Sequence, residues 1–144
     1  MEFRNDFSEF YTQKKLVNWF QTKQHTVIEG CIDNPILFND ITDCKTDDKF
    51  GIDVVAKRET DLWIVEVKGE TKGGRSSAVS NFHYGLGQIF TRMTCFNENI
   101  HYGLAMPNTD NFAFLVRKIM DLKVLERLNL SLILIGKEKI VFIN

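Results

Sequence analysis

The sequence has little cysteine, almost no net charge and no long apolar run, and each shortage excludes something. Cys31, Cys44 and Cys95 are widely spaced, odd in number and lack a Cys-x-x-Cys pair, so neither a zinc site nor a disulfide framework is expected and the thiols read as reduced. The formal charge of −1 advertises no global basic field for nucleic acid. An acidic metal site would, however, subtract from a locally basic surface. Membrane-length apolar stretches, a signal-like segment, internal repeats, low-complexity tracts and linkers are all missing, so the chain reads as soluble and cytoplasmic. What is present is a hydrophobic share of 44% and an aromatic share of 12% in 144 residues, enough for one domain over residues 1–144 to bury a substantial core.

Periodicity predicts an α/β domain, a mixed sheet flanked by helices in the order α-β-β-β-α-β-α-β-β. A first helix is expected over residues 6–23, capped by Asn5 or Asp6, with Phe7, Phe10, Tyr11, Leu16, Trp19 and Phe20 on its apolar face. Strands are expected over 26–32, 50–57 and 62–68, the last two as an antiparallel hairpin around 58–61, after a polar connection over 39–49. A Gly/Ser loop over 69–80 should lead to a helix over 79–97, a strand over 100–106 ended by Pro107, helical structure over 112–128 with or without a break, and two strands around Gly136-Lys137. The phenylalanines on the helices read as core.

Residues 50–69, FGIDVVAKRETDLWIVEVKG, break this pattern informatively. Side chains alternate along a strand, so Glu66 and Lys68 share a face while Val65 and Val67 share the other. Asp53 interrupts the neighbouring apolar run in the same way. Charge inside a covered strand is costly unless an ion satisfies it. Two carboxylates on adjacent strands can converge on one hard divalent cation, which takes oxygen ligands and keeps several waters, with the Val67 carbonyl as a further oxygen. Such a cation acidifies a bound water and stabilises charge on a phosphate, and Lys68 is placed to orient that water. A half-exposed amphipathic strand is the bland alternative, but Trp63, Val65 and Val67 on one face and Leu62 and Ile64 beside the charges indicate that both faces are covered.

With Asp53 in GID and Glu66-Val67-Lys68 in VEVKG, supported by Gln88 in GLGQIFTRM, the chain resembles the PD-(D/E)xK nuclease superfamily over roughly residues 7–106. The resemblance implies a restriction-endonuclease-like fold with a Holliday-junction-resolvase-like core and a Mg2+-dependent endonuclease acting on DNA, with Mn2+ able to substitute. Asp53 and Glu66 would bind the metal, Lys68 would handle the water, and Gln88 would position water, lysine or substrate. No organic cofactor is implied. Ile52 stands where many members carry proline. Many members also place a glutamate on the first helix; here Gln13 takes the obvious position, leaving Glu9 one turn earlier as an accessory ligand and Glu29 as its competitor.

Several other residues keep two readings. Arg92, one turn beyond Gln88, suits a phosphate or a surface salt bridge. Lys72 and Arg75 suit a nucleic-acid backbone or a solvated loop. His83-Tyr84 suits base stacking, but packing with Phe82 is favoured. Asp40, Asp43, Asp47 and Asp48 read as a solvated turn, and His25 and His101 lack metal-ligand spacing. A homodimer would double the phosphate contacts of a chain without a basic stripe. The competing functions are a non-catalytic nucleic-acid-binding or scaffold module and an RNA-directed nuclease.

Overall fold

A computed structural model describes residues 7–144. Helix α1 spans Glu9–Thr22 and is capped by Ser8, whose Oγ accepts from the Tyr11 N–H at 3.3 Å. The expected caps Asn5 and Asp6 lie outside the described residues. Strands β1 (Thr26–Cys31), β2 (Ile52–Arg58) and β3 (Asp61–Val67) form an antiparallel meander, with Glu59 at φ 56° in the hairpin turn. Helix α2 (Gly74–Arg92) then crosses over so that β4 (Ile100–Pro107) lies parallel to β3. Helices α3 (Asp110–Ile119) and α4 (Lys123–Arg127) lead to β5 (Leu130–Ile135), parallel to β4, and β6 (Ile140–Ile143) closes antiparallel on β5. The six strands form one open sheet in chain order.

One helix departs from expectation. Helix α2 begins within the Gly/Ser segment and stops at Arg92, rather than covering 79–97. Small residues there permit close helix–sheet packing, with Ala78 buried, and that contact outweighs the poor helix propensity of Gly and Ser. The helical stretch over 112–128 takes the broken form, as α3 and α4 on either side of a turn at 120–122.

The two faces of the sheet hold separate cores. Leu16 and Phe20 of α1 pack on Val54, Ala56, Val65 and Val67. On the other face, Phe82 and Ile89 of α2 and Phe112 of α3 cover Ile64, Tyr102 and Leu104. Alternation therefore sends Val65 and Val67 toward α1 and Ile64 toward α2, and both faces of β3 are covered. The helical phenylalanines are not uniformly core: Phe10 and Phe90 are exposed.

A larger correction concerns the cysteines. Cys31 and Cys44 are joined in a disulfide with their Cα atoms 5.7 Å apart, although thirteen positions separate them in sequence. The polar connection folds back on the end of β1: the Ile32 N–H donates to the Lys45 carbonyl at 2.9 Å and the Asp47 N–H to the Gly30 carbonyl at 2.7 Å. Ile41 and Cys44 are buried in it, and only Cys95 remains a free thiol. At its far end Gly51 lies against the Gly30 carbonyl, where a Cβ would collide, and this close approach sets the entry into β2.

Candidate active site

The hairpin register creates the centre of the site. Val54 pairs with Val65 and Val55 with Ile64, so the next step along the ladder sets Asp53 opposite Glu66. The Val67 N–H is taken by the Asp53 side chain, donating to Oδ2 at 2.7 Å. Glu66 is 1% exposed and belongs to the face covered by α2. Its carboxyl is pushed up to about 8, first by burial and then by the charge of Asp53 and the hydrogen bond to it. Arg92 opposes this shift, its Nε donating to Glu66 Oε1 at 3.2 Å, without cancelling it. The same guanidinium reaches the Phe50 carbonyl through Nη2 at 3.5 Å.

Helix α2 runs over this pair with a polar row at four-residue spacing. Arg92 meets Glu66, and Tyr84 lies over Lys68 with Nζ 4.8 Å from the ring centroid. Gln88 lies between them in the row; its Oε1 is buried without a hydrogen-bond partner. Gly85 makes room for the Lys68 stem, which a Cβ there would crowd. A buried acceptor left unpaired costs free energy, so this carbonyl marks a position prepared for a donor.

Helix α1 supplies the opposite wall. Gly69 packs against the start of α1, where a Cβ would collide with the Glu9 backbone, and the Glu70 N–H donates to the Phe7 carbonyl at 2.8 Å. This contact seats Glu9 Oε1 3.8 Å from Lys68 Nζ. The Glu9 carboxyl is raised by burial, against the lowering influence of Lys68 and with a further rise from Asp53. Gln13 donates through Nε2 to Glu29 Oε1 at 2.9 Å and to the Asp53 backbone carbonyl at 3.3 Å. Glu9, Gln13, Glu29, Asp48 and Asp53 all line one cavity of about 750 Å³, and Asp48 is exposed in a turn as expected.

The structure thus gathers Asp53, Glu66, Lys68, Gln88, Arg92 and Glu9, with the Val67 backbone at the centre. It does not gather Arg75, which lies in the first turn of α2, about 25 Å along the helix from Arg92. The Arg75 guanidinium stacks on Phe114 at 4.4 Å and donates to Asn111 Oδ1 at 3.4 Å, joining α2 to α3. Lys72 is exposed in the preceding turn. Two neighbours escaped the favoured sequence reading. Tyr84 is 66% exposed and covers Lys68 rather than packing with Phe82, and Phe50, three positions before Asp53, is 76% exposed with its carbonyl at Arg92. Tyr84 had a signal, its four-residue offset from Gln88; Phe50 had none.

Among the described residues, no three His, Cys, Asp or Glu side chains converge to hold a metal by themselves. Two carboxylates remain, and a hard divalent cation completed by water and a backbone carbonyl fits that donor set. No family model, no curated protein and no solved structure matches this chain.

Proposed function

We propose that this chain is a Mg2+-dependent endonuclease with a restriction-endonuclease-like fold, hydrolysing DNA phosphodiester bonds, with Mn2+ able to replace Mg2+. The observation that carries the reading is the carboxylate pair: Glu66, 1% exposed, faces Asp53 in a site whose next neighbours are Lys68 and an unpartnered Gln88 oxygen. Asp53, Glu66 and the Val67 carbonyl would hold the cation, with Glu9 as an accessory ligand. When bound, the cation supplies a more acidic water and Lewis-acid stabilisation of phosphate charge.

The chain's own residues do the rest. Hydrolysis joins a water oxygen to phosphorus, breaks one P–O ester bond and leaves a proton on the departing oxygen. Lys68, kept beside Glu9 and under Tyr84, presents an ammonium that orients the water and offsets charge on the phosphate. Gln88 Oε1 accepts a hydrogen bond from that water or from Lys68. Arg92 satisfies Glu66 in the absence of a cation and is positioned to take a phosphate oxygen when released.

The Arg92–Glu66 ion pair also favours a second reading, a nucleic-acid-binding scaffold in which the guanidinium is a permanent structural partner. Cleavage of supercoiled, linear, single-stranded and branched DNA, and of RNA, with Mg2+ or Mn2+ separates the two. Metal-dependent nicking by the wild type that vanishes in Lys68→Ala supports the nuclease. Equal products from both proteins, or none together with no thermal response to metal, would support the scaffold.

A further inference from the structure

Three exposed aromatic residues belong to the segments that frame the carboxylate centre, one from each. Phe10, 67% exposed, follows Glu9 on α1 and lines the same cavity as Asp53. Phe50, 76% exposed, precedes β2, and its carbonyl is held by the Arg92 that pairs with Glu66. Tyr84, 66% exposed, lies over Lys68 from α2. Single exposed aromatics are ordinary, but Tyr84 over Lys68 and Phe10 in the Asp53 cavity stand at a polar centre, where a flat group could cover them. Electrostatics narrows the occupant. A duplex binder needs several lysine or arginine contacts to phosphates. Here the net charge is −1, Arg75 is engaged with Phe114 and Asn111, and the cavity wall carries Glu9, Glu29, Asp48 and Asp53 against one lysine, Lys14, whose Nζ lies 5.8 Å from the Phe10 ring centroid. Affinity must then come largely from contacts that a stacked duplex cannot offer, because its base faces are already occupied.

We infer that the substrate is a nucleic-acid strand with unpaired bases, a single strand or the unpaired part of a branched molecule, held by base stacking on Phe10, Phe50 and Tyr84. The inference rests on the nuclease reading and deepens it. Stacking is tolerant of sequence, since every base presents a π-face. Lys68, sandwiched between Glu9 and Tyr84, is then reached by the phosphate next to a base stacked on that ring.

The test is equilibrium binding of labelled 12-mers in Ca2+, which replaces Mg2+ as a hard cation while suppressing turnover. The probes are single-stranded DNA, single-stranded RNA, the matching DNA duplex and an abasic strand with the same phosphates. Preferential binding of either base-bearing strand over the duplex and the abasic strand is expected. Phe50→Ala and Tyr84→Ala should each weaken that binding by roughly ten-fold, with duplex affinity unmoved. Tyr84→Phe should retain it, because stacking needs the ring and not the hydroxyl. All three side chains are exposed, and an unchanged melting temperature confirms that the fold survives. Duplex or abasic binding as tight as that of the base-bearing strands would overturn the inference. So would full affinity in Phe50→Ala and Tyr84→Ala. A Mn2+ thermal shift that disappears in Asp53→Ala, measured on the same samples, separates the failures: if the shift persists in the wild type, only the stacking inference falls; if it is absent, the nuclease reading falls with it.

Discussion

Strand β3 carries polar groups at both ends, and the two ends are finished differently. At its start, Asp61 meets His101 Nε2 at 3.5 Å, the Asn129 amide sits 3.1 Å from His101 Nδ1 and donates to the Ile100 carbonyl at 2.8 Å, and Trp63 stacks on the imidazole at 4.7 Å. Complementary groups meet there, so the cluster holds itself together. At the far end, two carboxylates face each other, Glu66 is pushed up to about 8, and the Gln88 oxygen has no partner. Both ends lie in the same strand, but the Asp61 side chain is 46% exposed and Glu66 is buried. Polarity alone therefore does not mark a site; polarity left unresolved by the protein does.

That contrast can be broken or sharpened by substitution. The largest effect belongs to Asp53→Ala, which should lower metal-dependent cleavage by on the order of a hundred- to a thousand-fold, whereas His101→Ala should leave the rate of the folded protein unchanged. Next comes the metal response. Mn2+ at about one hundred times its dissociation constant should stabilise the protein by about 2.7 kcal/mol, and Glu66→Gln should abolish this in calorimetry. The pH profile has a definite sign. The folded-state pKa of Glu66 is raised from 4.5 to about 8, so the unfolded chain releases this proton first. Metal-free stability should fall between about pH 4.5 and 8 through this group, and Glu66→Gln should flatten that fall in urea titrations. The same shift makes metal binding release a proton and strengthen toward pH 8.

Smaller effects test the closed end. His101→Ala should cost about 1–2 kcal/mol in urea unfolding and leave the Mn2+ shift intact, since it removes partners from a satisfied network. The smallest change in stability is expected for Gln88→Leu, within about 0.5 kcal/mol of wild type, because an acceptor with no partner is lost. Its cleavage rate should nevertheless drop, and a stable variant with full activity would remove Gln88 from the site.

The carboxylate pair was legible in the sequence because charge inside an otherwise apolar strand has few innocent explanations, and the β2–β3 hairpin register follows from its short turn. Glu9 was legible by helical spacing from Gln13, although its contact with Lys68 depends on the close packing of Gly69 against α1. The start of α2 was not, since Gly and Ser signal a loop and only packing of Ala78 against the sheet reverses this. The Cys31–Cys44 pairing depends on the backbone return of the polar connection, a tertiary contact with no local signature. Phe50 and Phe10 look in sequence like any core phenylalanine, because composition does not record which side chains are left in water.

The disulfide has a consequence for how the molecule is handled. It closes residues 31–44 of the connection, whose returning end carries Phe50 into β2 and Asp53. Opening it in a thiol-containing buffer should cost about 3 kcal/mol by freeing a short loop in the unfolded chain, yet the carboxylates themselves remain anchored in the β2–β3 hairpin. A reduced preparation should therefore turn over bound substrate at nearly the same rate while gripping it less well, raising KM more than it lowers kcat. If the proposed nuclease reading holds, preparations stored with and without reductant should differ at the rim of the site and agree at its centre.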